Sequence, residues 1–350
     1  MEAAAAVPTW PPDGLESVRG CPVCGSERRD LLYDGLADRQ WFCAGDGWSL
    51  RRCLDCSAAF LDPRPDRQTI GRAYAVYYTH EDAPLEPEPF AAHTRTAARN
   101  GYLNARYGYE FSPTSWLGPL LARFLPKTRS YADRSVRNLR LPRRGARLLD
   151  IGCGQGTFLV EMRRAGWEVQ GVEPDSSAAA VARANGVPVV DEPFERTSLP
   201  PTSFDAVTMN HVIEHFHDPI DALRIARRLV KPGGVLWIAT PNLDARGHAV
   251  FGRDWMALDP PRHLVLFTRS SLVRAVETTG FKVQGFGSDY SAQSFFPCSA
   301  AIAAGEDPRE EGALTRHRNR LSVFTTDLRT RVSPSRAENI VLIARAGNAQ

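Results

Sequence analysis

Lysine is nearly absent from this 350-residue chain. It occurs only at Lys127, Lys231 and Lys282, so almost all of the 43 basic side chains are arginine. They are nearly matched by 40 acidic ones, leaving a net charge of +3. So weak a field gives no global argument for nucleic acid or an anionic membrane as partner. The arginine excess, accompanied by Ala and 26 Pro, is read as a coding bias. Also missing is any apolar run near the roughly 18 residues that a membrane span needs. The opening Met1-Glu2-Ala3-Ala4-Ala5-Ala6-Val7-Pro8 lacks a basic n-region and its apolar stretch is short. No secretory signal and no membrane partner are therefore expected, and the cytoplasm is the expected compartment. There the seven cysteines are thiols or metal ligands rather than disulfides.

What the chain does have begins with those cysteines. Residues 1–20 read as a flexible tail. Residues 21–62 contain Cys21-Pro22-Val23-Cys24 and Cys53-Leu54-Asp55-Cys56, two C-x-x-C knuckles. Such a pair places four thiolates around one structural Zn²⁺. Four thiolates leave no open position, so no metal catalysis is expected there. Trp41, Phe42, Trp48 and Leu50 supply a small β-ribbon core, too small to fold alone, with the metal supplying the missing stability. Four unligated thiols, or a redox pair, are the alternatives. The redox reading is disfavoured because neither pair opens a helix after a βαβ-type strand. Cys43 is a spare, assigned to packing.

Residues 63–140 read as a linker and a helical lid region. Prolines hold Phe60–Pro65 extended, and Pro84, Pro87 and Pro89 mark an exposed link. Helical pieces are expected between 91 and 140. The tyrosines here, including Tyr74, Tyr77, Tyr78, Tyr102 and Tyr107, either face an acceptor from a lid or glue the ribbon to the main domain. Packing is the ordinary role of such aromatics. Tyr77 and Tyr78 are the candidates for substrate contact.

From 141 to 350 strand and helix alternate. Strands are expected at 147–151, 168–173, 187–190, 204–210, 235–240, 281–285 and 339–344. Helices are expected at 157–165, 176–185, 218–230 and 270–279. The pattern is that of an α/β chain with a parallel, doubly wound, seven-stranded sheet. Residues 291–335 are weakly patterned and read as an insertion.

The first of these strands leads into Asp150-Ile151-Gly152-Cys153-Gly154-Gln155-Gly156-Thr157. Glycines on alternate positions let a ligand approach backbone N–H groups at the carboxyl end of the sheet. A dinucleotide fold wants G-x-G-x-x-G or Ala, but here the third glycine comes one residue early. Asp150 suits a cationic amino group and Glu173 suits two ribose hydroxyls, whereas a pyrophosphate beside Asp150 is repelled.

These stretches, with Gly171-Val172-Glu173-Pro174-Asp175, Phe204–His215 and Leu229-Val230-Lys231-Pro232-Gly233-Gly234, resemble the ordered motifs of class I S-adenosylmethionine-dependent methyltransferases over about 145–285. The resemblance implies a Rossmann-like methyltransferase sheet with S-adenosylmethionine as cofactor. It implies that Asp150, Gly152, Gly154 and Gly156 hold the methionine moiety, that Glu173 holds the ribose, and that Pro193 and Phe194 flank the adenine. It places Asn210 and His211 near the sulfonium. A four-cysteine ribbon ahead of such a domain is similar to sugar-modifying and natural-product methyltransferases, implying a small-molecule acceptor. Asp259–Thr268 is similar to the loop that supplies an active-site histidine there. Arg262 stands where some members carry an acid, and it is expected beside the acceptor.

His215 and His263 are the candidate bases, because an imidazole titrates near neutrality. His217 is expected at the surface, and His248 and Trp255 as pocket or core residues. Two further readings stay open: an RNA methyltransferase with the ribbon as reader, for which the basic pairs Arg28-Arg29 and Arg51-Arg52 are diluted by acids, and a scaffold without catalysis. The oligomeric state is not specified.

Overall fold

A computed structural model describes residues 9–75, 90–310 and 332–347. A two-residue strand β1 (Leu15–Glu16) precedes the ribbon strands β2 (Arg29–Leu36), β3 (Trp48–Cys53) and β4 (Ala59–Leu61), and β5 (Arg64–Pro65) pairs back on β1. Three helices follow: α1 (Phe90–Tyr107), α2 (Gly118–Phe124) and α3 (Pro126–Ser135). The alternating half runs β6 (Arg147–Ile151), α4 (Thr157–Arg164), β7 (Glu168–Val172), α5 (Ser176–Ala184), β8 (Val189–Val190), β9 (Phe204–Asn210), α6 (Pro219–Leu229), β10 (Val230–Pro241), α7 (Arg246–Phe251), β11 (Val265–Leu266), α8 (Arg269–Thr278), β12 (Phe281–Phe286), α9 (Ala292–Ala303) and β13 (Asn339–Ala346).

The main sheet has seven strands in the order β12-β13-β10-β9-β6-β7-β8. It is mixed rather than parallel throughout, because β13 runs antiparallel to both β10 and β12. Side chains alternate across it. Leu149, Ile151, Val207, Met209, Leu236 and Ile238 face the core built with α6 and α8. Leu148 and Ala206 face the other way, toward α1, α3 and α4. Helix α6 shows the local logic. Asp218 caps it by accepting from Asp221 N at 2.8 Å, with Pro219 in the first position. Its stripe of Leu223, Ala226 and Leu229 is fully buried. The chain then passes directly into β10, and a register shift between Val230 and Val235 absorbs the Lys-Pro-Gly-Gly stop.

Two expectations are corrected here. The ribbon is not a separate small core. Trp48, Leu50, Phe60 and Leu61 share one buried cluster with Trp255, Val265 and Phe267, and β11 joins the ribbon sheet in the order β11-β4-β3-β2. Of the expected insertion at 291–335, residues 311–331 lie outside the described residues, and the part before them is patterned. Helix α9 buries Phe295, Phe296, Ser299 and Ile302, and Ser299 Oγ accepts from Met256 N at 3.0 Å. Among the described residues, no helix is long and apolar enough to cross a membrane.

Candidate active site

Beyond β6 the backbone turns through Gly152, Gly154 and Gly156 at φ 67°, 52° and 78°. Gly152 is fixed by crowding, since a Cβ there would lie 2.5 Å from Val212 Cγ2. Gly154 is the opposite case: a Cβ would meet nothing within 4 Å, so the space beside it is open to a ligand. The Gly154 N–H donates to Glu173 Oε2 at 2.8 Å, and Asp175 N donates to Glu173 Oε1 at 3.0 Å. Burial pushes the Glu173 carboxyl above its ordinary value, against those two backbone donors. Asn210 and His211 lie half-buried at the end of β9. An open backbone cradle facing a buried carboxylate fits sugar hydroxyls, and it does not fit a pyrophosphate.

Asp150 differs from its expected setting. The cation beside it is Arg137 of the same chain. Asp150 is 1% exposed, and its Oδ1 accepts from Arg137 Nη1 and from Thr208 Oγ1, the latter at 2.9 Å. Its Oδ2 is buried without a partner. Burial raises its pKa, with Arg137 opposing. The Arg137 guanidinium also lies 3.7 Å from the Phe158 ring centroid. Asp150 thus anchors the segment before β6 behind the glycine turn. Pro193 is exposed, while Phe194 is buried and packs 6.1 Å from Phe216.

The histidines gather where β9 ends. His215 sits on a short 3-10 turn, Ile213–His215, and its ring lies 4.9 Å from that of His263. His215 Nδ1 is 2.9 Å from the Arg262 carbonyl and 3.0 Å from the Tyr74 hydroxyl. His263 Nδ1 is 2.8 Å from the Ala257 carbonyl. A carbonyl only accepts, so each Nδ1 carries a proton, and in a neutral ring Nε2 is the remaining acceptor. Burial lowers the His215 pKa to about 4, and the neighbouring His263 imidazole adds to that lowering, so His215 is neutral near pH 7.

Glu214 is wholly buried between them. Its Oε2 accepts from Thr240 Oγ1 at 2.9 Å and its Oε1 lies 3.3 Å from His211 Nδ1. Burial opposes its ionisation, but His211 and the surrounding imidazoles hold it down at about 2. Ligand atoms of Glu214, His215 and His263 lie within 4.8 Å of one another, a donor set that could hold a divalent ion. His211 is further linked to α3, where Arg134 Nη2 lies 3.4 Å from its Nε2 and Arg134 pairs with Asp289.

Arg262, expected beside the acceptor, is 0% exposed, and its guanidinium is engaged inside the chain. Its Nη2 donates to Asp38 and, at 2.7 Å, to Asp259 Oδ1. Its Nη1 donates to the Ala73 carbonyl at 2.9 Å. It ties the ribbon to the histidine loop. His217 is also not a surface group: it is buried, with Nε2 2.9 Å from the Pro65 carbonyl. Trp255 is core, donating from Nε1 to Glu338. His248 lies against Tyr33, 2.9 Å from its hydroxyl. Tyr102 and Tyr107 are packing residues that both donate to Asp133 at 2.7 Å. Tyr77 and Tyr78 lie outside the described residues. Arg137 and Arg134 carry no signal in the sequence. Tyr74 is named there only among the tyrosines of the lid region, and Glu214 only by its place between His211 and His215.

The four knuckle sulfurs also converge. Cys21–Cys56 and Cys24–Cys53 are each 3.5 Å apart, and all four sulfurs lie within 4.8 Å of one another. A tetrahedral ion with bonds of about 2.3 Å would set sulfurs about 3.8 Å apart, so the cluster could hold one. Cys43 stands aside, with its thiol 3.1 Å from the Ala73 carbonyl.

Several known proteins are similar to this chain. A family model described as "Methyltransferase domain" matches residues 121–284. The ubiquinone biosynthesis O-methyltransferase of Aeromonas salmonicida (strain A449) is 30% identical over 176 residues, which is 47% of this chain and 72% of that protein. The protein of the same name from Ralstonia nicotianae (strain ATCC BAA-1114 / GMI1000) is 31% identical over 181 residues, covering 49% and 70%. An S-adenosylmethionine dependent methyltransferase from Mesorhizobium loti, of known structure, has TM-score 0.40 at 19% identity, covering 66% of this chain and 98% of that one.

Proposed function

Since this chain belongs to the S-adenosylmethionine-dependent methyltransferases, we propose that it methylates a hydroxyl of a small-molecule acceptor: a sugar, glycan precursor or natural-product intermediate. The observation that carries this reading is the imidazole pair His215 and His263, each with Nδ1–H committed to a carbonyl. The names of the related O-methyltransferases agree with oxygen as the attacking atom.

S-adenosylmethionine, when bound, supplies a methyl group activated on a sulfonium. The Gly152–Gly156 backbone and Glu173 are proposed to hold it, Glu173 at the ribose, Pro193 and Phe194 beside the adenine, and Asn210 and His211 toward the sulfonium. The remaining task of the chain is to align the acceptor oxygen, which can contribute about 7–11 kcal/mol, and to receive its proton at Nε2 of His263 or His215. A neutral His215 is in the state that accepts. Structural zinc in the four-cysteine cluster is part of the same proposal.

The test is methyl incorporation into a panel of sugars, nucleotide sugars and phenolic intermediates, repeated with His263→Ala. Loss of about 10²–10⁴-fold in kcat with cofactor affinity retained is expected, and unchanged turnover removes His263 from the site. The RNA reading has one observation in its favour, a cleft of about 730 Å³ beside the knuckles lined by Arg19, Arg64, Arg67, Arg224 and Arg274. Three of these arginines are already paired, with Glu27, Glu16 and Glu195, so the small-molecule reading is preferred.

A further inference from the structure

The exposed large apolar side chains are not scattered. Of thirteen among the described residues, seven fall between Trp116 and Tyr131, with Trp116 84% and Phe124 72% exposed. Leu117, Leu120, Leu121 and Phe124 follow i, i+3, i+4, i+7, one stripe of a helix. That stripe points away from the protein. The residues of α2 that are buried are Gly118 and Ala122, and a Cβ on Gly118 would lie 2.1 Å from the Ala98 carbonyl oxygen of α1. Helix α2 is thus packed inside out, small residues inward and large ones outward. Single exposed leucines are ordinary, but a contiguous apolar stripe marks an interaction surface.

Along the chain, the charge beside the stripe is of one sign. From Phe111 to Ala132 the chain has no Asp or Glu, and it carries Arg123, Lys127 and Arg129; both arginines are exposed. We propose that α2 and its flanks dock on an anionic lipid surface, with the stripe at the headgroup–acyl boundary and Arg123 and Arg129 against the headgroups. Charge favours this occupant over a second copy of the chain. A two-fold contact would set this acid-free stretch against itself, with no acid in it to answer Arg123 and Arg129. The surface is also joined to the active site: α3 follows α2 directly, and its Arg134 lies against His211. The chain-wide charge of +3 conceals this, because the basic excess is local.

The test is co-sedimentation of the full chain with vesicles of phosphatidylcholine alone and of phosphatidylcholine mixed with phosphatidylglycerol. Binding to the mixed vesicles is expected, with Arg123→Gln and Arg129→Gln each weakening it about fivefold. Leu120→Glu with Phe124→Glu is expected to abolish binding while circular dichroism and S-adenosylmethionine affinity stay unchanged, since both residues are exposed. No binding of the wild type to mixed vesicles overturns the proposal. So does a wild-type dimer in light scattering that the double variant converts to monomer without either form binding vesicles.

Discussion

Replacing Arg262 by methionine keeps most of the side-chain volume and removes the charge. Arg262 and Asp38 have fully buried side chains and Asp259 is 7% exposed, so the substitution leaves two carboxylates without their cation in a closed interior. Breaking one side of such a cluster costs about 3–5 kcal/mol. The lower end applies here, because the carboxylates keep other donors. Asp38 still accepts from Trp41 N at 3.1 Å, Cys43 N at 2.9 Å and Ala44 N at 3.2 Å, and Asp259 keeps Gln40 Nε2 at 3.1 Å. At about 2 °C per kcal/mol for a chain of this size, a Tm fall of about 6 °C is expected.

The pH dependence has a definite sign. Burial raises the Asp38 carboxyl, but Arg262 and the backbone amides outweigh it, so its folded pKa is depressed. Its contribution is therefore present above the unfolded value of about 3.9 and lost as pH falls through the folded one. Arg262→Met weakens the depression and moves acid unfolding to higher pH. The Arg262 carbonyl holds His215 Nδ1, so kcat should fall more than KM rises. Thermal melts and steady-state kinetics together decide. An unchanged Tm with a raised KM would place Arg262 at the acceptor and refute the clamp.

Two further outcomes concern buried groups. One zinc per chain is expected by elemental analysis, and Cys24→Ser or prolonged chelation should lower Tm and loosen the histidine loop, because β11 pairs directly with β4; metal-free protein with an unaltered melt would exclude a structural ion. Glu338 is buried enough to raise its pKa to about 7, against donation from Gly247 N and Trp255 Nε1. A raised folded value means its contribution is full below the unfolded pKa of about 4.3 and lost as pH rises through 7, up to about 3 kcal/mol. Denaturant titrations at pH 5 and pH 8 should show that loss in the wild type and not in Glu338→Gln, and identical slopes for the two proteins would sink the assignment.

The strands of the main sheet, the glycine turn and the paired cysteines were legible because each is written in neighbouring residues. Period, glycine spacing and C-x-x-C all act within a few positions. The direction of β13 was not legible, since a buried strand has the same apolar run whether parallel or antiparallel. Nor was β11, because two residues, Val265 and Leu266, carry no period, and their place beside β4 exists only once the ribbon has folded against the loop. The polar clamps failed for another reason. Arg262 meets Asp38 across 224 positions, and Arg134 meets Asp289 across 155. In a chain with 43 basic residues nothing local distinguishes these arginines from the exposed ones. Arg137 meets Asp150 only 13 positions on, but from a backbone φ of 49°, which no sequence period announces. The same background hid the α2 surface, where the informative feature is an absence of acids rather than an excess of bases. In such a chain the local absence of one sign of charge is informative, because the arginine count itself carries almost no information.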